Sequence, residues 1–405
     1  MYPRRWMSAA CALALIGGGG SLAAQAPGAS EPAPRRAAPQ VDPIAAPPGS
    51  DQAQPPPEDA APAQEPSPTA PAQAEQPPEP TEPAERPPVT HVGIGSLKGA
   101  DLRAQTIEAA NPASGGAASP AYLIKLSVWL DRAHNSPGEI DGRFGGNVKE
   151  ALATYEGGRH LPGEGQISPQ ALAALSTDKA PITQRYAITQ KDEAGPFIGH
   201  LPSDFYAQSK LKRMGYLSPE QELAERFHMS MSLLEAMNPG ADFTKAGTTL
   251  TVLNIHAGPL PTSVAKIEVD KTSSQVRALG ADGTLVASFP ATIGSTERPA
   301  PSGTWAVAEV RKDPAYTYDP QVLTWGPKWR GRFTIKPGPN NPTGVVWIAV
   351  TKPTYGIHGT PNAGLVGKTA SHGCVRLTNW DAWDLGLAVS KGVPIVFMGE
   401  KPVKG

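Results

Sequence analysis

The chain has 405 residues, 36 Lys and Arg against 37 Asp and Glu, and a formal net charge of -1 at pH 7. So balanced a charge gives no electrostatic case for nucleic-acid binding, which rests on cationic side chains displacing phosphate counterions. There are only two cysteines and 46 prolines, and both prove to be unevenly placed.

Residues 1–26, "MYPRRWMSAACALALIGGGGSLAAQA", carry Arg4 and Arg5, a short apolar run and small residues ending Ala24-Gln25-Ala26. That order reads as a secretory signal peptide. Gly17 to Gly20 interrupt the apolar run, which is too short to span a bilayer comfortably. Its removal takes away Cys11, Arg4 and Arg5, so the formal charge becomes -3 and Cys374 is left as the only cysteine. The processed chain can then form no internal disulfide, and it carries no other long apolar segment. The expectation is an exported protein of the periplasm or cell envelope, with no integral membrane segment in the mature chain.

Residues 27–90 hold 20 of the prolines, ten acids against three arginines, and no Phe, Trp or Tyr. Such a stretch cannot bury enough apolar surface to order itself and reads as an extended spacer. The Pro/Ala-rich linker is expected to run on to residue 119, with a short helix near Asp101 to Ala110.

Three units follow. Over residues 120–178, Leu123, Leu126, Trp129 and Leu130, then Val148, Leu152 and Tyr155, then Leu172 and Leu175 recur at helical spacing, with Gly- and Pro-rich turns between. This small three-helix domain resembles the peptidoglycan-binding-like domain of cell-wall enzymes, on "GEIDGRFGGNVKEAL". Over residues 181–256 the order is strand ("YAIT"), two short helices ("SPEQELAERFHMSMSLLEAMNPG") and strand ("AGTTLTVLNI"). Ser218, Pro219 and Gln221 are a helix-start signature. This βααβ unit is similar to the LysM module, a binder of N-acetylglucosamine-containing glycans, and departs from it by about 25 extra residues between Asp192 and Leu217. Residues 263–403 read mostly as strands. One helix follows Thr378, capped by Thr378 or Asn379, with Trp380, Trp383, Leu387 and Ala388 as its apolar face.

Within this last unit Cys374 stands in "SHGCVRL", two residues after His372 and sixteen after His358. Three readings compete. Two histidines and a thiolate can ligate zinc, but paired ligand spacings such as C-x2-C are absent. A free cysteine is often a small core residue, although a Ser-His pair in a glycine-rich loop is an odd setting for one. A nucleophile explains most of the context. A histidine can raise the thiolate fraction or take the proton directly, and the amides of Gly373 and Cys374 can hold an oxyanion. Either His358 or His372 can supply the base, the latter because residues two apart on a strand share a face.

"HGTP" followed by "SHGCVRL", with the Pro301-Ser302-Gly303 turn, resembles the signature of the L,D-transpeptidases with a YkuD-type catalytic domain. The resemblance implies a multidomain α+β chain whose catalytic domain is a β-rich sandwich, its cysteine under a mobile hairpin drawn from residues 317–342. It makes Cys374 the nucleophile, His358 the base and the carbonyl of Gly359 its orienter. Ser371, His372 and Gly373 would shape the oxyanion and substrate pocket, and Arg376 would meet a substrate carboxylate or support the loop. No metal or other cofactor is implied. The implied partners are peptidoglycan stem peptides and glycan strands. Attack on the bond before a terminal D-alanine would leave a thioester to the third stem residue. A second stem (a 3-3 cross-link), water, a lysine of an envelope lipoprotein or a D-amino acid would then take the acyl group. An amidase cutting lipoprotein from stems uses the same motif, and a non-catalytic wall-binding factor is the reading from another class.

Overall fold

The computed structural model describes residues 97, 100–112, 118–163, 165–255, 258–295, 298–321, 331–369, 371 and 373–400. The leader and spacer expected over residues 1–90, and His372, therefore lie outside the described residues. Among the described residues no helix is long and apolar enough to cross a membrane.

A short helix α1 (Ala104–Ala109) comes first. The periodic apolar residues beyond it form α2 (Pro120–Arg132), α3 (Gly146–Gly158) and α4 (Pro169–Leu175). Ser119 and Ser168 accept hydrogen bonds from the amides of Tyr122 and Ala171, each followed by a proline in the first turn. A capping hydroxyl and a proline that has no amide to leave unpaired start both helices. Strand β1 (Thr183–Ala187) then pairs antiparallel with β2 (Thr249–Leu253). Between them lie α5 (Gln190–Ala194), α6 (Phe205–Gln208), α7 (Pro219–Arg226) and α8 (Met231–Met237). The two extra helices α5 and α6 occupy the stretch that departs from the LysM pattern. Ser218 caps α7 through the Gln221 amide, whereas the Gln221 side chain accepts from the Leu217 amide at 2.6 Å, one residue before the cap.

Leu126, Leu130 and Leu152 of the first helices and Leu223, Leu250 and Val252 of the βααβ segment belong to one apolar core. The two accessory segments thus bury their apolar faces against each other, and neither needs a complete core of its own.

The second core lies within the strand-rich segment. Strands β3 (Lys266–Asp270), β4 (Gln275–Leu279), β5 (Leu285–Pro290), β6 (Thr292–Ile293), β7 (Gly303–Lys312), β10 (Val346–Val350), β11 (Gly356–His358), β12 (Val375–Arg376) and β13 (Pro394–Met398) pair in the order β5-β4-β3-β13-β7-β10-β11-β12-β6. Strands β8 (Tyr316–Tyr318) and β9 (Phe333–Ile335) form a separate antiparallel pair. Residues 303–306 of β7 pair with β13, and residues 307–312 pair with β10. The long strand therefore serves two sheets. The outermost strands of the order, β5 and β6, are separated in sequence by Ala291 alone. A sheet whose two ends are joined by one residue must fold back on itself, which makes the β-rich sandwich, with Ile267, Val269, Phe289, Ile348, Ile357 and Val375 in one core. Pro290, lacking an amide to donate, stands at the end of the β4–β5 ladder.

The turn after α2 covers β5, with α3 beside it. The amides of Ser136 and Ser288 donate to the carbonyls of Ser288 and His134 at 2.9 and 2.8 Å. The edge of the sandwich is thereby paired rather than open.

Helix α9 (Asn379–Ala388) starts at Thr378, whose side chain accepts from the Asp381 amide at 3.1 Å. Its buried face is Ala382, Leu385 and Gly386, continued by Val389, whereas Leu387 is 42% exposed. The expected apolar face is therefore corrected at Leu387, while Trp383 and Ala388 pack, partly buried, against the core. Trp380 stacks on His228 with ring centroids 4.7 Å apart, and small residues bring the helix axis close to the sheet. A Cβ on Gly386 would lie 2.7 Å from Cγ1 of Val346. Gly386→Ala gains up to about 1 kcal/mol of helix propensity but meets an overpacking cost of about 1–3 kcal/mol. Urea denaturation is expected to show Gly386→Ala destabilised and Leu387→Ala within about 1 kcal/mol of the parent, the reverse of a ranking by side-chain hydrophobicity.

Candidate active site

Strands β11 and β12 are parallel and in contact, with Ile357 opposite Val375 and His358 opposite Arg376. Side chains alternate faces along a strand. Ile357 and Val375 turn into the core, at 0% and 1% exposure. The other face therefore takes His358, Arg376 and, one step before the strand, Cys374 opposite Gly356. The structure brings together the expected nucleophile, the expected base and Arg376 by this register alone.

The imidazole of His358 is buried, and its Nδ1 lies 2.7 Å from the carbonyl oxygen of Gly359. A carbonyl only accepts, so Nδ1 carries the proton. Burial, with the nearby Arg376 charge, pushes His358 down to about 3, against the Gly359 hydrogen bond, which favours the cation. The ring is thus neutral at ordinary pH, and its Nε2 has an unshared pair available for a proton. That is the tautomer a general base requires. His372, the rival base, lies outside the described residues.

Cys374 is partly exposed and is the free cysteine among the described residues. Burial of its sulfur pushes the thiol up, opposed by a Gly356 backbone hydrogen bond and the Arg376 charge. Its Sγ donates weakly to the Thr354 carbonyl at 3.9 Å. Of the two roles considered for the histidine, these shifts favour direct proton removal over a resting thiolate-imidazolium pair. The Ser371 hydroxyl donates to the Cys374 carbonyl at 2.5 Å and accepts from the Gly373 amide at 3.3 Å. Ser371 thus pins the turn that carries the thiol, and the Gly373 amide already has an acceptor within the turn. Gly373 has φ +111, and a Cβ there would lie 3.1 Å from the Tyr355 ring, so the turn accepts only glycine without strain.

The loop between His358 and Cys374 is anchored from several sides. Ser371 donates its amide to the Gly294 carbonyl at 3.0 Å, and the Gly367 amide donates to Thr292 Oγ1 at 3.0 Å. Asn147 of α3 donates from Nδ2 to the Val366 carbonyl at 2.9 Å.

Two site residues carried no local signal in the sequence. Trp347 on β10 pairs with His358 and stacks on its ring, centroids 5.3 Å apart, while its indole also packs against Gly356, where a Cβ would lie 2.5 Å away. The alternation of "VVWIAV" announces a strand, but only the β10–β11 register places the tryptophan beside the base. Tyr316 of β8 lies within electrostatic range of Cys374 and Arg376, and its buried hydroxyl has no hydrogen-bond partner among the described residues. Its ring meets Phe205 of α6 edge-on at 5.8 Å, and Tyr206 meets Phe333 of β9 at 5.6 Å. The extra residues of the βααβ segment therefore rest on the β8–β9 pair beside the cysteine.

Residues 265–397 match the family model of the L,D-transpeptidase catalytic domain, YkuD. A putative L,D-transpeptidase YkuD of Bacillus licheniformis is 40% identical over 78 residues, 18% of this chain and 46% of that protein. A probable L,D-transpeptidase ErfK/SrfK of Escherichia coli is 31% identical over 193 residues, 46% of this chain and 61% of that protein. The chain thus spans about half to three-fifths of the length of these relatives. Among solved structures, L,D-transpeptidase 3 from Mycobacterium tuberculosis aligns over 38% of this chain and 76% of its own at 15% identity, with a TM-score of 0.28. That score is too low to carry the fold assignment, which rests on the strand order.

Because burial raises Cys374, less thiolate is present at a given pH than in a free cysteine. Alkylation by iodoacetamide is therefore expected to rise with pH through a midpoint above the ordinary thiol value of about 8.5. A plateau reached below about pH 7 would contradict the neutral pair.

Proposed function

We propose that the chain is a peptidoglycan L,D-transpeptidase acting by cysteine acyl transfer, exported to the cell envelope and held near the wall by its accessory segments. The observation that carries this reading is the neutral His358. Its Nδ1–H is fixed on the Gly359 carbonyl, and its ring shares a strand face with Cys374.

In the forward step His358 Nε2 takes the Cys374 proton as Sγ attacks the carbonyl that joins the third stem residue to D-alanine. The oxyanion would be held chiefly by the Cys374 amide, because the Gly373 amide is engaged by Ser371. The imidazolium then returns the proton to the leaving nitrogen and D-alanine departs, leaving a thioester. An acceptor amine gives up a proton to His358, attacks the thioester carbonyl and expels the thiol. With a second stem as acceptor the product is a 3-3 cross-link. Arg376, whose charge acts on both reacting groups, is suited to a substrate carboxylate at the same face.

The signal peptide, the proline-rich spacer and the peptidoglycan-binding-like and LysM-like segments support an enzyme working on assembled wall, because extra attachment points raise local concentration within the spacer's reach. Purified protein incubated with sacculi is expected to release D-alanine and give 3-3 dimers in the muropeptide profile. Cys374→Ala should abolish both, and His358→Ala should cut the rate about 10²–10⁴-fold. A hydrolysed tripeptide or a released lipoprotein as the main product would reassign the acceptor. An unchanged profile would sink the reading.

A further inference from the structure

The carbonyl that orients His358 does not stand alone. Gly359 belongs to a short backbone stretch packed on the side chain of Asn379, the first residue of α9. A Cβ placed on Gly359 would lie 2.4 Å from Asn379 Oδ1, and one placed on Gly344 would lie 2.1 Å from it. Both backbones therefore rest directly on the amide. Asn379 Oδ1 also accepts from the Val345 amide at 3.3 Å, so the oxygen faces the strand side and the nitrogen faces away. What holds the nitrogen comes from the accessory segment. Nδ2 donates to Glu225 of α7, at 3.2 Å to Oε1 and 3.1 Å to Oε2, and to the Pro339 carbonyl at 3.1 Å.

Glu225 is itself fixed, since Tyr216 donates its hydroxyl to Oε1 at 2.9 Å. Burial pushes the carboxyl up to about 7, opposed by the hydrogen bonds from Asn379 and Tyr216 and by the His228 charge, with Glu222 adding to the rise. Charged or protonated, it keeps an oxygen facing the Asn379 amide. A neighbouring anchor has the same character: Asn340 donates to the Gly215 carbonyl at 2.7 Å and exchanges hydrogen bonds with Gln221. The loop before β10 and the start of α9 are thus gripped by α7 and the turn before it.

We propose that Glu225, 154 residues from its partner in sequence, is a positioning residue for the catalytic base. It locks the Asn379 amide in one orientation, the amide supports the Gly359 backbone, and the Gly359 carbonyl keeps the His358 ring aimed at the thiol. This rests on the reading of His358 as the base of the transferase. It assigns the βααβ segment a part in the chemistry distinct from any wall binding. Without Glu225 the amide keeps only the Pro339 carbonyl and the Val345 amide as partners, so it is held less firmly, and a shift of about 1 Å at a base can cost on the order of 10²-fold in rate.

The test uses the full chain with Glu225→Gln, Glu225→Ala and Glu225→Met. Glutamine keeps one oxygen able to accept from both Tyr216 and Asn379, whereas alanine and methionine keep none. For D-alanine release from a tetrapeptide muropeptide, kcat is expected to fall about 10-fold or more in the alanine and methionine variants with KM within about 2-fold. Glutamine should retain parental kcat. The Nδ1–H proton resonance of His358 should move in the same two variants and stay in the glutamine one. Parental kcat and an unmoved resonance in folded Glu225→Ala or Glu225→Met would overturn the proposal. So would loss of native circular dichroism in both, since Glu225 would then be a structural contact and nothing more. If the parent protein releases no D-alanine the transferase reading fails, while the resonance still decides whether Glu225 positions the ring.

Discussion

Two residue pairs hold the site together. The parallel contact of β11 and β12 sets Ile357 against Val375 and His358 against Arg376, and the placing of the candidate site residues follows from that register. The core-facing pair is nearly solvent-free, so a slip by one residue would turn His358 and the Arg376 charge toward the aliphatic core. So short a parallel ladder has little strength of its own. Its surroundings make it rigid: β10 beyond β11, β6 beyond β12, and the Ser371 turn below the cysteine.

That dependence explains the role of the accessory segments in the fold. Asn147 reaches the loop between base and nucleophile, Phe205 and Tyr206 press on the β8–β9 pair, and Glu225 holds the start of α9. The two segments share one core, so all three contacts are delivered by a single packed body. Two of the three contacts are polar, Asn147 finding a backbone carbonyl and Glu225 a side-chain amide, which gives direction as well as contact.

Much of this was legible in the sequence where the signal is local. Ser218 and Pro219 marked the start of α7, alternation marked the strands, and the resemblance carried by "HGTP" and "SHGCVRL" marked His358, Gly359, Ser371, Gly373 and Cys374. What escaped depends on register and distant packing. Ala382 and Gly386 on the buried face of α9 were missed because such small residues carry little hydrophobic signal, and Gly386 owes its burial to closeness to Val346. Trp347 and Tyr316 are ordinary strand aromatics until the pairing places them beside His358 and Cys374. Thr378 and Asn379 were both open as the helix cap; Thr378 takes that place, and the contact of Asn379 with a glutamate from another segment had no local signal.

The strand order also bears on when the candidate site can form. Strand β13 lies between β3 and β7, so residues 394–398 join the first strand of the sandwich to its long shared strand. Until they are in place the sandwich is two pieces joined only through Ala291, with open edges at β3 and β7, and such long-range closure is slow and exposed to mispairing. A chain made from its N-terminus delivers the accessory body before residues 394–398. The site would then be assembled only after the whole catalytic segment had emerged, beside a body already folded to receive it.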